Sequence, residues 1–403
     1  MRPSLPLPPL APSLPLRKIV SPRTAIRTLA PASPRPDVSI IIPARNEEAN
    51  LDDCLQSLTS QSGVAFEIIV VDDASTDCTR EIAQTFAGVR VISAGTVHEG
   101  WTGKNNAVVA GATKARAQWL LFTDADTVHR PGSLARALAE ARKERADLLS
   151  YSPEQLVVTF SERAVMPVIF AELAAQYPPR KVREQSSEKN SGVVAANGQY
   201  ILVRRATYDA VGGHAAVATE ILEDVALARL FRKAGKRVYF RYGGDAVCTR
   251  MYRNWAQLRE GWTKNLALLF PSPGRLALLR LTEFVLIVSS VTVAIVTGMK
   301  GRTPASAAVG LLALALTGLF LRRIRKAHFS WDATVLALIG LPLFSYLLLR
   351  SRNAYQKRRV TWKGRRYTGN RTRASVETNQ VEAGRPLDSQ QDAGRAPSHA
   401  TSN

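Results

Sequence analysis

Cysteine is scarce in this chain of 403 residues: Cys54, Cys78 and Cys248 are the whole set, and none stands at Cys-x-x-Cys spacing. That excludes a disulfide scaffold and predicts a reduced, cytoplasmic setting with three plain core thiols. Acid is short as well, with 33 Asp and Glu against 54 Lys and Arg, a formal charge of +21. The first 36 residues have no acid at all, six Lys or Arg, and ten of the 22 prolines. Each proline removes a donor and blocks the preceding turn, so no regular helix forms there. Its leucines (Leu5, Leu7, Leu10, Leu14, Leu16) are too interrupted for the apolar core of a signal peptide. The tract reads as a disordered basic leader or as an over-extended gene start.

No nucleic-acid module accompanies the positive charge. Much of it lies in the leader, in Arg322–Lys326 and in Arg350–Arg373, beside apolar segments or chain ends. Basic residues so placed follow the positive-inside bias and attract anionic headgroups. The excess therefore points to a membrane surface and away from nucleic acid.

Hydrophobic residues make up 46% of the chain and are unevenly spread. Leu281–Gly298 carries one early acid, Glu283; Pro304–Leu321 is uncharged; Trp331–Leu349 has Asp332 at its edge and Pro342 inside. Each approaches the ~20 residues that cross a bilayer. With three spans, Arg322–Lys326 falls on the side of the domain before residue 270. The very basic Arg350–Arg366 stretch would then lie opposite, against the charge rule. One of the three is therefore expected to be re-entrant or interfacial.

Between residues 37 and 270 short apolar runs alternate with amphipathic segments. Val38–Ile42 predicts a strand ending at Pro43, followed by a helix from Glu47 to Leu58 with Asn46 as cap and Leu51, Leu55 and Leu58 on one face. Ile68–Val71 and Val89–Ser93 are further strands. Ser75 or Thr76 is placed to cap a helix through Phe86, and Lys104–Ala117 is another helix. Unbroken β-prone runs are strands covered on both faces, as in a parallel α/β sheet with right-handed crossovers. Leu156–Tyr177 reads equally as an amphipathic interfacial helix pair or as an ordinary domain helix.

Acidic clusters follow the buried runs: Asp72-Asp73 after Ile68–Val71, Asp124-Ala-Asp126 after Trp119–Thr123, and later Glu223-Asp224. Ligands in such sheets bind at the carboxyl ends of strands. Carboxylates there can hold a hard divalent cation, and the cation a diphosphate. The pattern implies a nucleotide-dependent transferase.

The segments Val38-Ser-Ile-Ile-Ile-Pro-Ala-Arg-Asn-Glu-Glu48, Val70-Val-Asp-Asp-Ala-Ser-Thr-Asp77 and Phe122-Thr-Asp-Ala-Asp126 resemble the signatures of family 2 glycosyltransferases, which adopt the GT-A fold. Glu99-Gly-Trp-Thr-Gly-Lys104, Arg250-Met-Tyr252, Gly261-Trp-Thr-Lys-Asn265 and Trp362-Lys-Gly-Arg365 resemble membrane glycosyltransferases of carotenoid and hopanoid pathways. The resemblance implies a Rossmann-like, mostly parallel catalytic domain over 37–270, membrane helices over 271–350 and a basic, largely disordered tail over 351–403. It implies Pro43, Arg45, Glu47, Asp72, Asp73, Lys104, Asp124 and Trp262 as donor-binding residues. Asp126 becomes the ligand of Mg²⁺ or Mn²⁺, and Asp224 the general base of an inverting transfer. The donor would be a UDP- or GDP-hexose and the acceptor a hydroxyl of a membrane isoprenoid, with the enzyme multi-pass in the inner membrane and its catalytic domain cytoplasmic.

Asn197-Gly198-Gln199 and Gly212-Gly213-His214 resemble the family's acceptor-side segment, with His214 read as a loop histidine. Processive members carry Gln-x-x-Arg-Trp, whose Arg steadies the diphosphate. Leu258-Arg-Glu-Gly-Trp262 keeps only the Trp, which favours a single transfer and leaves Arg250, Arg259 or Lys264 to supply a cation. Transfer to polyprenyl phosphate or an exported glycan is the alternative within the same chemistry; a catalytically dead membrane scaffold is the alternative outside it.

Overall fold

The computed structural model describes residues 35–178, 181–182, 193–301 and 303–367. The leader up to residue 34 and the chain after residue 367 lie outside them. The first half runs β1 (Val38–Ala44), α1 (Leu51–Thr59), β2 (Phe66–Asp72), α2 (Thr79–Gln84), β3 (Val89–Ser93), α3 (Gly103–Lys114) and β4 (Trp119–Phe122). Next come β5 (Thr127–His129), α4 (Ser133–Lys143), β6 (Leu148–Ser152), β7 (Glu154–Gln155) and α5 (Phe160–Gln176). Then follow β8 (Ile201–Arg204), α6 (Arg205–Ala210), α7 (Glu223–Lys233), β9 (Val238–Tyr242), β10 (Val247–Thr249) and α8 (Trp255–Leu269).

Seven strands form one sheet in the order β3-β2-β1-β4-β8-β6-β9. The pairs β1–β2, β2–β3, β1–β4 and β6–β9 are parallel, and β8 alone runs against its neighbours β4 and β6. The central strands are apolar on both faces because helices cover both. One cluster packs Ile40, Ile42 and Val70 with Leu51, Leu55 and Leu58 of α1. The other packs Ile41, Ile69 and Val71 with Ala107 and Val108 of α3 and Leu227 and Phe231 of α7. Burying each of those α1 leucines contributes on the order of 1.5–3 kcal/mol.

Register sets the site. Ala44 lies opposite Asp72, and Ile41 opposite Phe122, so β1, β2 and β4 release their acidic loops at one edge. β1 does not stop at Pro43 but runs on to Ala44. β4 pairs only as far as Ile41, so beyond it Pro43 has no ladder donor to lose on that side.

Helix starts differ from expectation in a consistent way. Asn46 is no cap: its φ is 53°, its amide donates to the Ser75 hydroxyl at 3.1 Å, and its side-chain oxygen accepts from Thr76 N at 2.9 Å. The helices begin later, at Leu51 and Thr79. Residues of capping type are here spent on joining two loops across the sheet edge. Thr102 caps α3, accepting from Asn105 N at 3.1 Å.

Residues 160–176 form one helix, not a pair, opened by a Thr159–Glu162 capping box. Leu156, Val158 and Phe160 at its start are exposed. Three long apolar helices follow: α9 (Pro273–Met299), α10 (Thr303–Ile324) and α11 (Trp331–Gln356). Each is long and apolar enough to cross a membrane. A third core unites them with α5 and α8 through Val168, Ile169, Trp262, Leu341 and Phe344. α11 lies tightly on α5: a Cβ at Gly340 would sit 1.8 Å from the Ala164 carbonyl oxygen, so only glycine permits the approach. Ordered chain continues past residue 350, where the tail was expected, into the hairpin β11 (Val360–Trp362) and β12 (Arg365–Tyr367).

Of the three cysteines, Cys54 and Cys248 are core thiols as expected, whereas Cys78 is exposed on the loop before α2.

Candidate active site

A cavity of about 410 Å³ opens at the sheet edge, lined at one end by Pro43, Asp73, Asp124 and Asp126 and beside them by Glu223 and Asp224. Strands deliver the first four and the first turn of α7 the last two, where the helix dipole favours anions. Residues more than a hundred positions apart thus become one acidic floor.

Lys104, on the first turn of α3, is the hub. Its Nζ lies 2.7 Å from Asp124 Oδ1 and 2.8 Å from Glu223 Oε1. Burial works against its charge, but the two carboxylates outweigh that and raise its pKa well above the usual lysine range. Burial likewise pushes Glu223 up, yet the Lys104 ammonium overrides it and holds the carboxyl below its ordinary range. Asp124 and Glu223 are therefore compensated within the protein.

Asp224 is not. Its Oδ2 accepts from Gly198 N at 2.9 Å and its Oδ1 from Val225 N at 2.7 Å, which fixes the carboxylate toward the cavity. Burial, then the neighbouring Glu223 charge, raise it to about 6 against the opposing pull of Lys104. Asn197-Gly198-Gln199 sits behind it as a brace, anchored by Ser150 Oγ on Asn197 N at 2.8 Å and by Thr123 Oγ1 on the Gln199 carbonyl at 2.8 Å.

Asp126 is the second uncompensated acid. Burial raises it to about 7, helped by the charges of Asp124 and Glu47 and opposed by Lys363 and Lys104. A carboxylate crowded by two others is where a divalent cation relieves repulsion, and the residues fit one. Among the described residues no group of three or more His, Cys, Asp or Glu is assembled to hold a metal. The protein's own donors are thus few, as suits an ion that shares its coordination with substrate phosphates and water.

The remaining predicted donor residues divide. Asp72 accepts from Ser75 N at 3.1 Å and faces Arg80 at 3.4 Å, so it shapes the loop beside Asp73 and does not line the cavity. Arg45 donates to the Asp73 carbonyl at 2.7 Å. Glu47 accepts from the Asn50 side chain at 2.9 Å. Trp262 borders the cavity but is 2% exposed, with its indole N–H directed at Met166 Sδ at 3.3 Å and its ring edge-on to Phe170 and Tyr252.

Of the three cations considered for the diphosphate, Arg250 is committed to Glu162 at 3.1 Å and Arg259 does not line the cavity. Lys264 does line it, 5.1 Å from the Trp362 ring. His214 belongs to a 3-10 turn but is buried, edge-on to Phe122 with Nδ1 3.1 Å from the Tyr208 hydroxyl. Burial holds it down to about 3, so the ring is neutral.

Residues 39–205 match the model of the family described as Glycosyl transferase family 2. The match begins within β1, ends just after β8 and takes in the loops that hold Asp73, Asp124 and Asp126. The chain is 32% identical over 239 residues to a protein of Staphylococcus haemolyticus named 4,4'-diaponeurosporenoate glycosyltransferase, covering 57% of this chain and 61% of that one. The protein of that name from Staphylococcus aureus is 29% identical over 238 residues, 57% and 60% of the two chains. The match spans about three fifths of the length of these curated relatives. Among solved structures, a mannosyltransferase from Pyrobaculum calidifontis in complex with GDP-Man and Mn²⁺ is 15% identical over 81% of this chain and 89% of that one. Its TM-score is 0.42, a likeness too slight to transfer any residue's role.

Two residues at this site escaped the sequence reading. Lys363 Nζ lies 2.5 Å from Glu47 Oε1 and 2.8 Å from the Arg45 carbonyl, and the Arg365 guanidinium pairs with the Asp73 carboxylate. Both come from the β11–β12 hairpin, 292 to 318 residues from their partners. Their motif, Trp362-Lys-Gly-Arg365, was visible but carried no role. The available signal was a Lys-Gly turn between two short β-prone segments, and both turn residues do have positive φ, 45° at Lys363 and 76° at Gly364. A lysine in that conformation is strained, and such strain persists where the surroundings hold it for a purpose.

The far end of the cavity is apolar. Phe170, Leu173, Tyr177 and Leu269 line it, and it reaches Lys326, Ala327 and His328 at the junction of α10 and α11. The site thus joins an acidic floor to an apolar arm at the base of the long helices.

Proposed function

We propose that this chain transfers a hexose from a nucleoside-diphosphate donor to an isoprenoid-type lipid at a membrane. The observation that carries the reading is the cavity itself, whose lining joins the strand-end carboxylates and Asp224 to apolar residues of α5 and α8 and to the turn between α10 and α11. The relatives named for a glycosyltransferase of 4,4'-diaponeurosporenoate support the same acceptor class.

In this reading Asp73 and the loop braced by Asp72 and Arg45 take the nucleoside, with Pro43 and Glu47 beside them. Lys363 and Arg365 lie against these acids, where they can turn to the diphosphate as it enters. They fill the part of the arginine missing from Leu258–Trp262. Asp124 and Asp126 would hold Mg²⁺ or Mn²⁺ on the diphosphate. When bound, that ion supplies Lewis-acid neutralisation of the leaving group. Lys104 keeps Glu223 ionised and holds the Asp124 side chain in place.

Asp224 takes the proton of the acceptor hydroxyl. Its two backbone hydrogen bonds orient it, and burial beside Glu223 gives it the moderately raised pKa that suits a base near neutral pH. A single base with direct attack on the anomeric carbon inverts its configuration. Trp262 steadies the wall between α5 and α8 that the acceptor passes.

One second reading has a specific ground. An acceptor presented as a carboxylate, the form that the name diaponeurosporenoate denotes, carries no proton to remove. Asp224 would then position the acceptor without deprotonating it. Purified full chain with UDP- or GDP-hexose and hydroxylated or carboxylated polyisoprenoids separates the two. Loss of transfer in Asp224→Asn with the alcohol alone supports the base. Equal loss with both acceptors supports positioning, and no transfer to either overturns the proposed function.

A further inference from the structure

The three apolar helices are not equivalent. In α9 and α10 only 11% of the most apolar stretch is buried within the protein, against 50% in α11. α11 is fastened along its length to the catalytic domain. Arg163 reaches Asp332 at 3.2 Å, and Gly340 sits against Ala164. Ser351 Oγ donates to the Thr263 carbonyl at 2.6 Å, and the Tyr355 hydroxyl to the Lys264 carbonyl at 2.6 Å.

α9 and α10 form an antiparallel hairpin. Ser306 Oγ donates to the Ala294 carbonyl at 2.7 Å near its tip, and Arg323 reaches Glu283 at 2.7 Å at its base. At that base Arg280, Glu283 and Arg323 interlock with Glu172 of α5. Above it residues 284–299 and 303–321 hold no charge, and the sequence that joins them is Lys300-Gly301-Arg302. At 1.5 Å per residue the two uncharged arms measure about 24 and 28 Å, close to the ~30 Å of a hydrocarbon core. Their outward faces expose Leu286, Val291, Ile295, Leu311, Leu314 and Leu319.

Parity then decides. Phe270 ends the domain before α9, and Lys363 and Arg365, after α11, touch Glu47 and Asp73 of that same domain. Both ends of the helical segment lie on one side of any bilayer, so the number of crossings is even. We propose that α9 and α10 alone cross, as a two-pass hairpin, and that α11 stays on the catalytic side. There its exposed Trp331, Val335 and Ile339 face the headgroup layer. This keeps Arg322–Lys326 and the basic stretch from Arg350 on the catalytic side, with only the tip cations opposite, in accord with the charge rule that three spans would break.

The inference rests on the membrane reading and is tested in cells with the full chain. The exposed native thiol is removed (Cys78→Ser), and single cysteines are placed at exposed positions by Gln84→Cys, Gly301→Cys and Lys357→Cys. Labelling uses a membrane-impermeant maleimide before and after permeabilisation. A reporter fused after residue 403 reads the side of the chain end with no substitution. We expect residue 301 to label from outside, and residues 84, 357 and the reporter to be reached only after permeabilisation. Outside labelling at 357, or an outside reporter, restores a third span and overturns the inference; so does failure of residue 301 to label from outside. Release of the protein from membranes by alkaline carbonate is a different result, because it removes the membrane reading itself.

Discussion

Of the described acids that line the cavity, Asp224 and Asp126 are the two without an ion-pair partner, and each has a distinct test. Asp224→Asn keeps the backbone hydrogen bonds of one oxygen but cannot accept a proton. Transfer to a hydroxyl is expected to fall roughly 10²–10⁴-fold while nucleotide affinity, read by calorimetry, stays near wild type. Because Asp224 is raised to about 6, its basic form is lost as pH falls through that value. The wild-type rate should therefore rise with pH up to about 6 and level off, and this limb should vanish from the residual rate of Asp224→Asn. A limb unchanged in the variant would assign the titration elsewhere. Asp126→Ala should leave the fold intact, since the residue lies in the turn between β4 and β5 and opens no apolar cavity. Mn²⁺-dependent nucleotide affinity should disappear; affinity that still responds to Mn²⁺ would remove Asp126 from the metal's ligands.

At the scale of elements, the hairpin after α11 carries the account. Arg365→Ala is expected to weaken UDP or GDP binding by roughly tenfold or more, the weight of a charge-assisted hydrogen bond. Gly340→Leu should do the same from a distance. Its side chain cannot fit against the Ala164 carbonyl, so α11 lifts from α5 and takes the hairpin off the donor site. Calorimetric titration of UDP into both variants checks this; wild-type affinity in both would mean that the hairpin is only packing.

Much of this was legible in the sequence, and the exceptions share a cause. Asp72-Asp73, Asp124-Ala-Asp126 and Glu223-Asp224 stood out because strand ends place carboxylates at a sheet edge whatever the rest of the chain does. Lys104 was legible as a cation after a Gly-rich loop, but not as the hub between Asp124 and Glu223, since that needs α3 and α7 side by side. Asn46 and Ser75 were mistaken for caps because local composition cannot show that Ser75 accepts from Asn46 N and Asn46 from Thr76 N across the sheet edge. The motif of Lys363 and Arg365 was visible, but their roles were not, for the same reason on a larger scale: their partners lie 292 to 318 residues away.

Across the whole molecule, the cavity runs from acids that suit a water-soluble, phosphorylated donor to apolar walls at the foot of the long helices. That polarity predicts a reaction between two phases, with the donor entering from water and the acceptor from the bilayer. The central claim is most directly tested with the full chain in lipid nanodiscs holding a hydroxylated polyisoprenoid, given UDP- or GDP-hexose labelled in the sugar, with Mn²⁺. The account predicts label in the extracted lipid for wild type and almost none for Asp224→Asn. Label that stays in water as free sugar, or that passes only to soluble oligosaccharides, would contradict it.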